Sequence, residues 1–276
     1  MIITSHRGWF EFHLREIWQY RDLLKIYIQR NIITEYKQTI LGPFWIIIPP
    51  VLTTLVFTII FGNIANISTD GLPKPLFYMA GIITWNYFST VLTSTSNSLA
   101  GNAGIFGKVY FPRIMIPLAT LVSSLVRYFI QLILFIGFMG YFLINNPKSI
   151  EIQFQLLWLL PVFIIIMGLQ GLGFGLLFSA LTAKYRDIRF LISFGVRLLM
   201  YASTVIFPLS MVPEKYKWII LANPMSAVIE SFRYIFLGVG QISSNAILYS
   251  TSFTGTLLVL GILIFNQTEK DFIDNA

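Results

Sequence analysis

The chain has 276 residues, 56% of them apolar and only 11% charged, where an ordinary soluble domain carries about 25% charged residues. No soluble core buries that share of apolar surface, so the solvent for most of this chain is lipid. The absence of cysteine excludes disulfides and thiolate metal sites, two histidines confined to the N-terminus (His6, His13) exclude a histidine metal site in the membrane, and the net charge of +7 is spread as topology rather than as a nucleic-acid surface.

Residues 1–29 carry charges throughout and lack the uninterrupted apolar core of a signal peptide. The pattern predicts a helix that does not span. Phe10, Leu14, Ile17 and Leu24 fall on one face, and Glu11, Arg15, Gln19 and Asp22 on the other. Trp9, Trp18 and Tyr20 add rings suited to the headgroup zone, so residues 1–42 are expected to hold an amphipathic helix on the cytoplasmic leaflet. A simple anchor and a mechanical role both fit these residues.

A hydrocarbon core about 30 Å thick needs ~20 apolar residues of helix. Six stretches qualify: 43–61, 76–95, 114–144, 154–181, 190–212 and 246–265. Prolines interrupt several of them, at Pro49-Pro50, Pro117, Pro161 and Pro208, and predict kinks. Between the last two spans, residues 211–240 hold Trp218, Ile235 and Phe236 but also Pro213, Pro224, Glu230 and Arg233. A pair of short re-entrant helices suits this segment better than a seventh span, because re-entrant backbone survives where protein covers it.

Twelve Lys and Arg fall on one side of this six-span reading: Arg7, Arg15, Arg21, Lys25, Arg30, Lys37, Lys108, Arg113, Lys184, Arg186, Arg189 and Lys270. Five fall on the other, namely Lys74, Lys148, Lys215, Lys217 and Arg233, while Arg127 and Arg197 lie inside spans. The positive-inside rule then puts both termini in the cytoplasm. The expected architecture is an all-α, multi-pass membrane protein with one permease domain over residues 1–276: interfacial helices at 1–42, six spans at 43–265 and a cytoplasmic tail at 266–276.

Catalytic residues are not expected. The apolar cores hold no Asp or Glu, so the relay of a proton- or sodium-coupled carrier is missing. The segment from Gly101 to Val109 fails as a phosphate loop, with Asn102 where the first glycine belongs and Val109 where Ser or Thr would hold magnesium. Arg197 can snorkel to the cytoplasmic face, but Arg127 is deeper, where an arginine costs about 2.5–3.5 kcal/mol, and so faces water or a partner. Contact with an anionic substrate and a structural hydrogen bond are both open for it. Arg186, Asp187 and Arg189 cluster at the mouth of the fifth span, where the arginines suit a phosphate-bearing ligand and equally suit an internal Arg–Asp pair. Among many aromatics, Tyr78, Trp85, Tyr87 and Tyr201 are candidates to line a conduit, and the Gly171, Gly173, Gly175 run allows close helix packing.

Three segments together resemble the polysaccharide-exporting branch of the type-2 permeases of ABC transporters. The first runs from Arg30 through Tyr36, Thr39, Leu41-Gly42 and Trp45 to Pro49. The second is Phe106-Gly-Lys108-Val-Tyr-Phe111-Pro112-Arg113, continuing to Pro117-Leu118-Ala119. The third joins Arg186-Asp187-Ile188, Met200, Ser203 and Pro208 with Asn223-Pro224 and a tail of Phe265, Glu269, Phe272 and Asp274. Thr204 departs from the proline common in the family. The resemblance covers essentially the whole chain in collinear order.

It implies a half-transporter in the bacterial inner membrane that pairs with a second copy of itself and with two copies of a cytosolic ATPase, which binds the Mg-ATP; this chain needs no cofactor and no metal. The cargo would be an undecaprenyl-linked polysaccharide, first of all lipopolysaccharide O-antigen, with capsule or teichoic-acid export as the alternative and an ATP-independent lipid-glycan flippase or channel as the reading from another class. The resemblance also implies that residues 103–112 form a coupling helix, with Ile105, Phe106, Lys108, Phe111, Pro112 and Arg113 meeting the ATPase. A tight hairpin turn with snorkelling basic residues is the plainer reading of that segment. The interfacial helix, through Trp9, Phe10, Leu14, Arg15 and Ile17, would be the second contact.

Overall fold

The computed structural model of the chain describes residues 14–37, 40–102, 104, 111–146, 150–185 and 187–274. Among these, the regular structure is all helix. The elements, in order, are α1 (Leu14–Gln19), α2 (Arg21–Tyr36), α3 (Phe44–Phe57) continued by a π-helical turn (Thr58–Ile64), α4 (Lys74–Ser96), α5 (Ser98–Gly101) and α6 (Met115–Asn145). A 3-10 turn (Phe154–Leu159) leads into α7 (Leu160–Lys184), followed by α8 (Ile188–Tyr201), a 3-10 turn (Leu209–Met211), α9 (Glu214–Ala222), α10 (Pro224–Leu237) and α11 (Ser244–Asp274).

Among the described residues, four helical segments are long and apolar enough to cross a membrane: Phe44–Ile64, Met115–Asn145, Phe154–Lys184 and Ser244–Thr268. The chain is therefore a multi-pass membrane protein. Helix α4 is long enough too, with 23 residues, but Thr84, Asn86, Ser89, Thr90 and Thr93 to Ser96 dilute its apolar character. It is the central helix, packed against α3, α6, α7, α8 and α10 and buried along most of its length.

The fifth predicted span is not one continuous helix. Helix α8 has 14 residues, about 21 Å of rise, and stops at Tyr201. Pro208 has no N–H to offer and holds Phe207 away from helical dihedrals, so the chain turns through residues 202–208. The carbonyls of Thr204 and Val205, freed by that break, accept hydrogen bonds from the Arg233 guanidinium.

The two short helices expected before the last span are α9 and α10. Asn223 ends one and starts the other, its side chain accepting from the Met225 N–H at 3.1 Å, with Pro224 at the first helical position. Gly238 closes α10 in the left-handed region at φ 74°, where a β-carbon would also strike the Glu151 carbonyl oxygen. Helix α10 is buried by α4, α7 and α11, which is the protein cover that re-entrant backbone requires. Arg233 belongs to this buried helix, so its reading as an outer-loop charge is corrected: the positive-inside count loses it from the outer side.

Small residues set how closely the spans approach. At Gly171 on α7 a β-carbon would lie 2.7 Å from the Phe88 carbonyl oxygen and 2.9 Å from Val91 Cβ, and at Gly175 it would overlap the Thr95 side chain. Polar pairs stitch the same interface: the Ser98 and Ser179 hydroxyls share a hydrogen bond at 3.0 Å, and the Thr182 hydroxyl donates to the Ser96 carbonyl. Gly171→Ala should therefore destabilise the chain by about 1–3 kcal/mol, since Phe88 backbone cannot move aside. Gly140→Ala on α6, where nothing lies within 4 Å of the new methyl, should be neutral or slightly stabilising. Thermal unfolding of the two variants in one detergent checks the contrast; equal melting points would reject it.

Candidate functional site

The face of α6 that turns inward carries Thr120, Ser123, Ser124, Arg127, Tyr128 and Gln131, a stripe repeating at three to four residues in an otherwise apolar helix. Across from it, α4 supplies Asn86, Tyr87, Thr90 and Ser94. The third wall is α3, and its chemistry follows from two prolines. Pro50 has no N–H, so the carbonyl of Ile46 has no helical donor, and Gln131 Nε2 donates to it at 3.3 Å. Pro49 removes the helical donor of the Trp45 carbonyl in the same way.

These helices enclose a cavity of about 250 Å³ lined by Trp45, Ile46, Pro49 and Pro50 of α3, by the α4 residues Asn86, Tyr87 and Thr90, and by Ser124 to Gln131 of α6. Ser124 and Arg127 also line a second cavity of about 480 Å³, whose other walls are Arg30, Asn31 and Thr34 of α2 with Ser94, Thr120 and Ser123. Arg127 and Ser124 thus lie on the walls of both cavities, which stand side by side as a polar groove bounded by α2, α3, α4 and α6. Arginines are the charged residues on its described walls. Tyr128 is 1% exposed, lines the inner cavity and packs its ring 5.1 Å from that of Tyr87. Its hydroxyl has no hydrogen-bond partner among the described residues.

Helix α2 is held where it can form the outer wall. Tyr27 packs on Phe111, Met115, Ile116 and Ala119, with Tyr20, Leu23, Leu24 and Ile28 around them. The apolar face of this helix therefore lies on the start of α6, while Trp18, Ile26 and Ile33 stay exposed. Arg30 lies over the Tyr27 ring at 4.6 Å, which keeps its guanidinium at the mouth of the outer cavity.

The other candidates are placed as follows. Phe111, Pro112 and Arg113 are buried. Phe111, at 4% exposure, packs on Tyr27 and forms the joint between α2 and α6. Ile105, Phe106 and Lys108, like Trp9, Phe10 and Arg186, lie outside the described residues. Leu14, Arg15 and Ile17 are in α1. Arg189 is half-buried at the start of α8, its Nε without a partner, and it lines neither cavity. Tyr78 and Trp85 are enclosed in the bundle core against Phe57, Phe77 and Phe88, so their rings present no face to a conduit. Tyr87 lines the inner cavity, and Tyr201 is 51% exposed at the end of α8.

Sequence reasoning singled out Arg127 and Tyr87 in this groove. Arg30 had been read as a topological charge, and the hydroxyl stripe from Thr120 to Gln131 had not been read at all, although its spacing is visible. Among the described residues no cluster of His, Cys, Asp or Glu could hold a metal.

Residues 22–237 match the family profile described as ABC-2 type transporter. Over 254 residues the chain is 29% identical to an O-antigen export system permease protein RfbA of Klebsiella pneumoniae, covering 92% of this chain and 94% of that one. An RfbA protein of the same description from Myxococcus xanthus is 25% identical over 265 residues, or 95% and 98% of the two chains. The polysialic acid transport protein KpsM of Escherichia coli is 26% identical over 250 residues, or 87% and 91%.

Proposed function

The chain belongs to the ABC-2 type transporter family, and from that premise we propose that it is the membrane subunit of an ATP-driven exporter of lipid-linked polysaccharide, with O-antigen as its cargo. The observation that carries this reading is similarity over about nine tenths of the chain to export permeases, with the Klebsiella pneumoniae O-antigen permease at higher identity than the polysialic acid protein. It has no ATP site of its own. A separate ATPase supplies hydrolysis, docking on the connector that contains Ile105, Phe106 and Lys108 and on the interfacial helix.

Six crossings are completed by α4 and by α8 with the segment after it, both termini lie in the cytoplasm of a bacterial inner membrane, and residues 1–276 act as one permease domain. Two copies flank the cargo path. The apolar surface left uncovered on α3 (Leu52, Leu55, Ile59) and on α8 (Phe190, Phe194, Leu198) supports a second copy there.

Purification from native membranes in mild detergent tests the reading. A Walker-type ATPase at equal copy number, with ATP-dependent glycan transport after reconstitution, is expected. A homo-oligomer with no ATPase and no ATP dependence would replace it with a flippase or channel. Capsule or teichoic-acid cargo in the reconstituted system would revise the substrate alone.

A further inference from the structure

We infer that the groove between α2, α4 and α6 is a binding site for a phosphate-bearing lipid headgroup, held between the guanidiniums of Arg30 and Arg127. Three observations carry it. The two arginines stand on different helices yet line one cavity, and Arg127 also lies on the wall of a second one. Guanidinium meets phosphate oxygens through two parallel hydrogen bonds, so a pair of them across a groove suits a phosphate or diphosphate ester better than a carbohydrate or a neutral lipid.

The remaining walls of the cavity carry hydroxyls and an amide: Asn31 and Thr34 on α2, Ser94 on α4, Thr120, Ser123 and Ser124 on α6. The Ser123 hydroxyl now donates to the Thr120 carbonyl at 3.1 Å, an intrahelical bond that a rotation of the hydroxyl exchanges for an anionic acceptor. An arginine near the middle of a membrane helix is costly, and facing a polar groove with an anion in it removes most of that cost.

The groove also has the right surroundings for a lipid. Its outer mouth is built on the interfacial helix, at headgroup level, and its inner end is walled by Trp45, Pro49 and Ile46 of an apolar helix. A headgroup can therefore enter with its chain still in the bilayer. The exporter reading enters only in choosing the source: a polyprenyl diphosphate, as opposed to an anionic phospholipid with the same phosphate chemistry.

The test uses the full chain in nanodiscs of phosphatidylcholine, with a fluorescent polyprenyl diphosphate as probe and phosphatidylglycerol as competitor. Arg30→Gln, at an exposed position on α2, leaves the fold untouched. It and Arg127→Gln are each expected to weaken probe binding at least tenfold, with Arg127→Lys falling between them and the unaltered chain, since lysine keeps the charge and loses the fork. If phosphatidylglycerol fails to compete, the site belongs to the polyprenyl carrier. Should it compete at equal concentration, with the same arginine dependence, the groove is an anionic-phospholipid site. Binding by both glutamine variants within twofold of the unaltered chain overturns the inference. The assay needs neither ATPase nor transport, so a chain that binds lipid through Arg30 and Arg127 yet exports nothing with ATP would fail the functional reading and leave the groove standing.

Discussion

Replacing Arg233 by methionine is expected to cost the chain about 3–5 kcal/mol, the largest loss of any single side chain described above. The guanidinium is 1% exposed. Nε and Nη2 donate to the Phe77 carbonyl at 3.3 and 3.2 Å, Nη2 also to Val205 at 2.9 Å, and Nη1 to Thr204. Nη1 meets the Glu230 carboxylate at 3.5 Å, and the group lies 3.6 Å from the centroid of the Phe77 ring. Three segments thus converge on one cation: α4, the broken end of α8 and α10.

Methionine fills much of the same space, so the loss is one of polar satisfaction more than of packing. It leaves the Glu230 carboxylate buried without its cation and strands two carbonyls that no helix can take back, each carbonyl worth about 1–3 kcal/mol when buried without a donor. Removing the stranded charge as well, in Glu230→Leu with Arg233→Met, should recover part of the stability and not all of it, because the Thr204 and Val205 carbonyls remain. Unfolding in detergent checks both variants. A single variant as stable as the parent would mean that water or lipid headgroups satisfy the break and that Arg233 is not what holds it.

The same residue shows where sequence reading reaches its limit. Length and apolarity were enough to mark the segments that became α3, α6, α7 and α11, since a bilayer imposes one simple requirement on each. They also located α4, although its row of Thr, Ser and Asn belongs to an interior helix and not to one bathed in lipid. Pro208 announced a kink in residues 190–212, but a full break already at Tyr201 was not legible, because so apolar a stretch reads as continuous until one knows that Arg233, some thirty residues on, donates to its free carbonyls. Arg233 itself looked like a loop charge for the same reason: its partners are backbone atoms, which leave no mark in a sequence. In the groove the failure was of another kind. Thr120, Ser124, Arg127 and Gln131 repeat with helical spacing, and counting Arg127 alone discarded a periodicity that was available. The role of Arg30 depended on the packing of Tyr27 against Phe111, a tertiary fact.

That packing carries the second large expectation. Phe111→Ala should abolish coupled export, by about tenfold or more, while insertion, the melting of the main bundle and ATP hydrolysis by the partner persist. Phe111 lies in a small cluster with Tyr27, Met115, Ile116 and Ala119, separate from the main core that α4 organises. Its ring, 5.7 Å from that of Tyr27, is the contact that ties α2 to the start of α6. Truncating a buried phenylalanine typically costs about 3–5 kcal/mol, more than a cluster of this size can lose and still fix a helix on its neighbour. A push by the ATPase on the connector would then be absorbed at a loose joint instead of reaching the groove wall that α2 forms. Phe111→Leu, which keeps most of the contact, should restore most of the export. Proteolysis supplies the independent readout: the alanine variant should be cut within α2 faster than the parent, with the spans equally protected. Full export by Phe111→Ala with a loosened α2 would show that force enters by another route, and the interfacial helix would then be an anchor and not a lever.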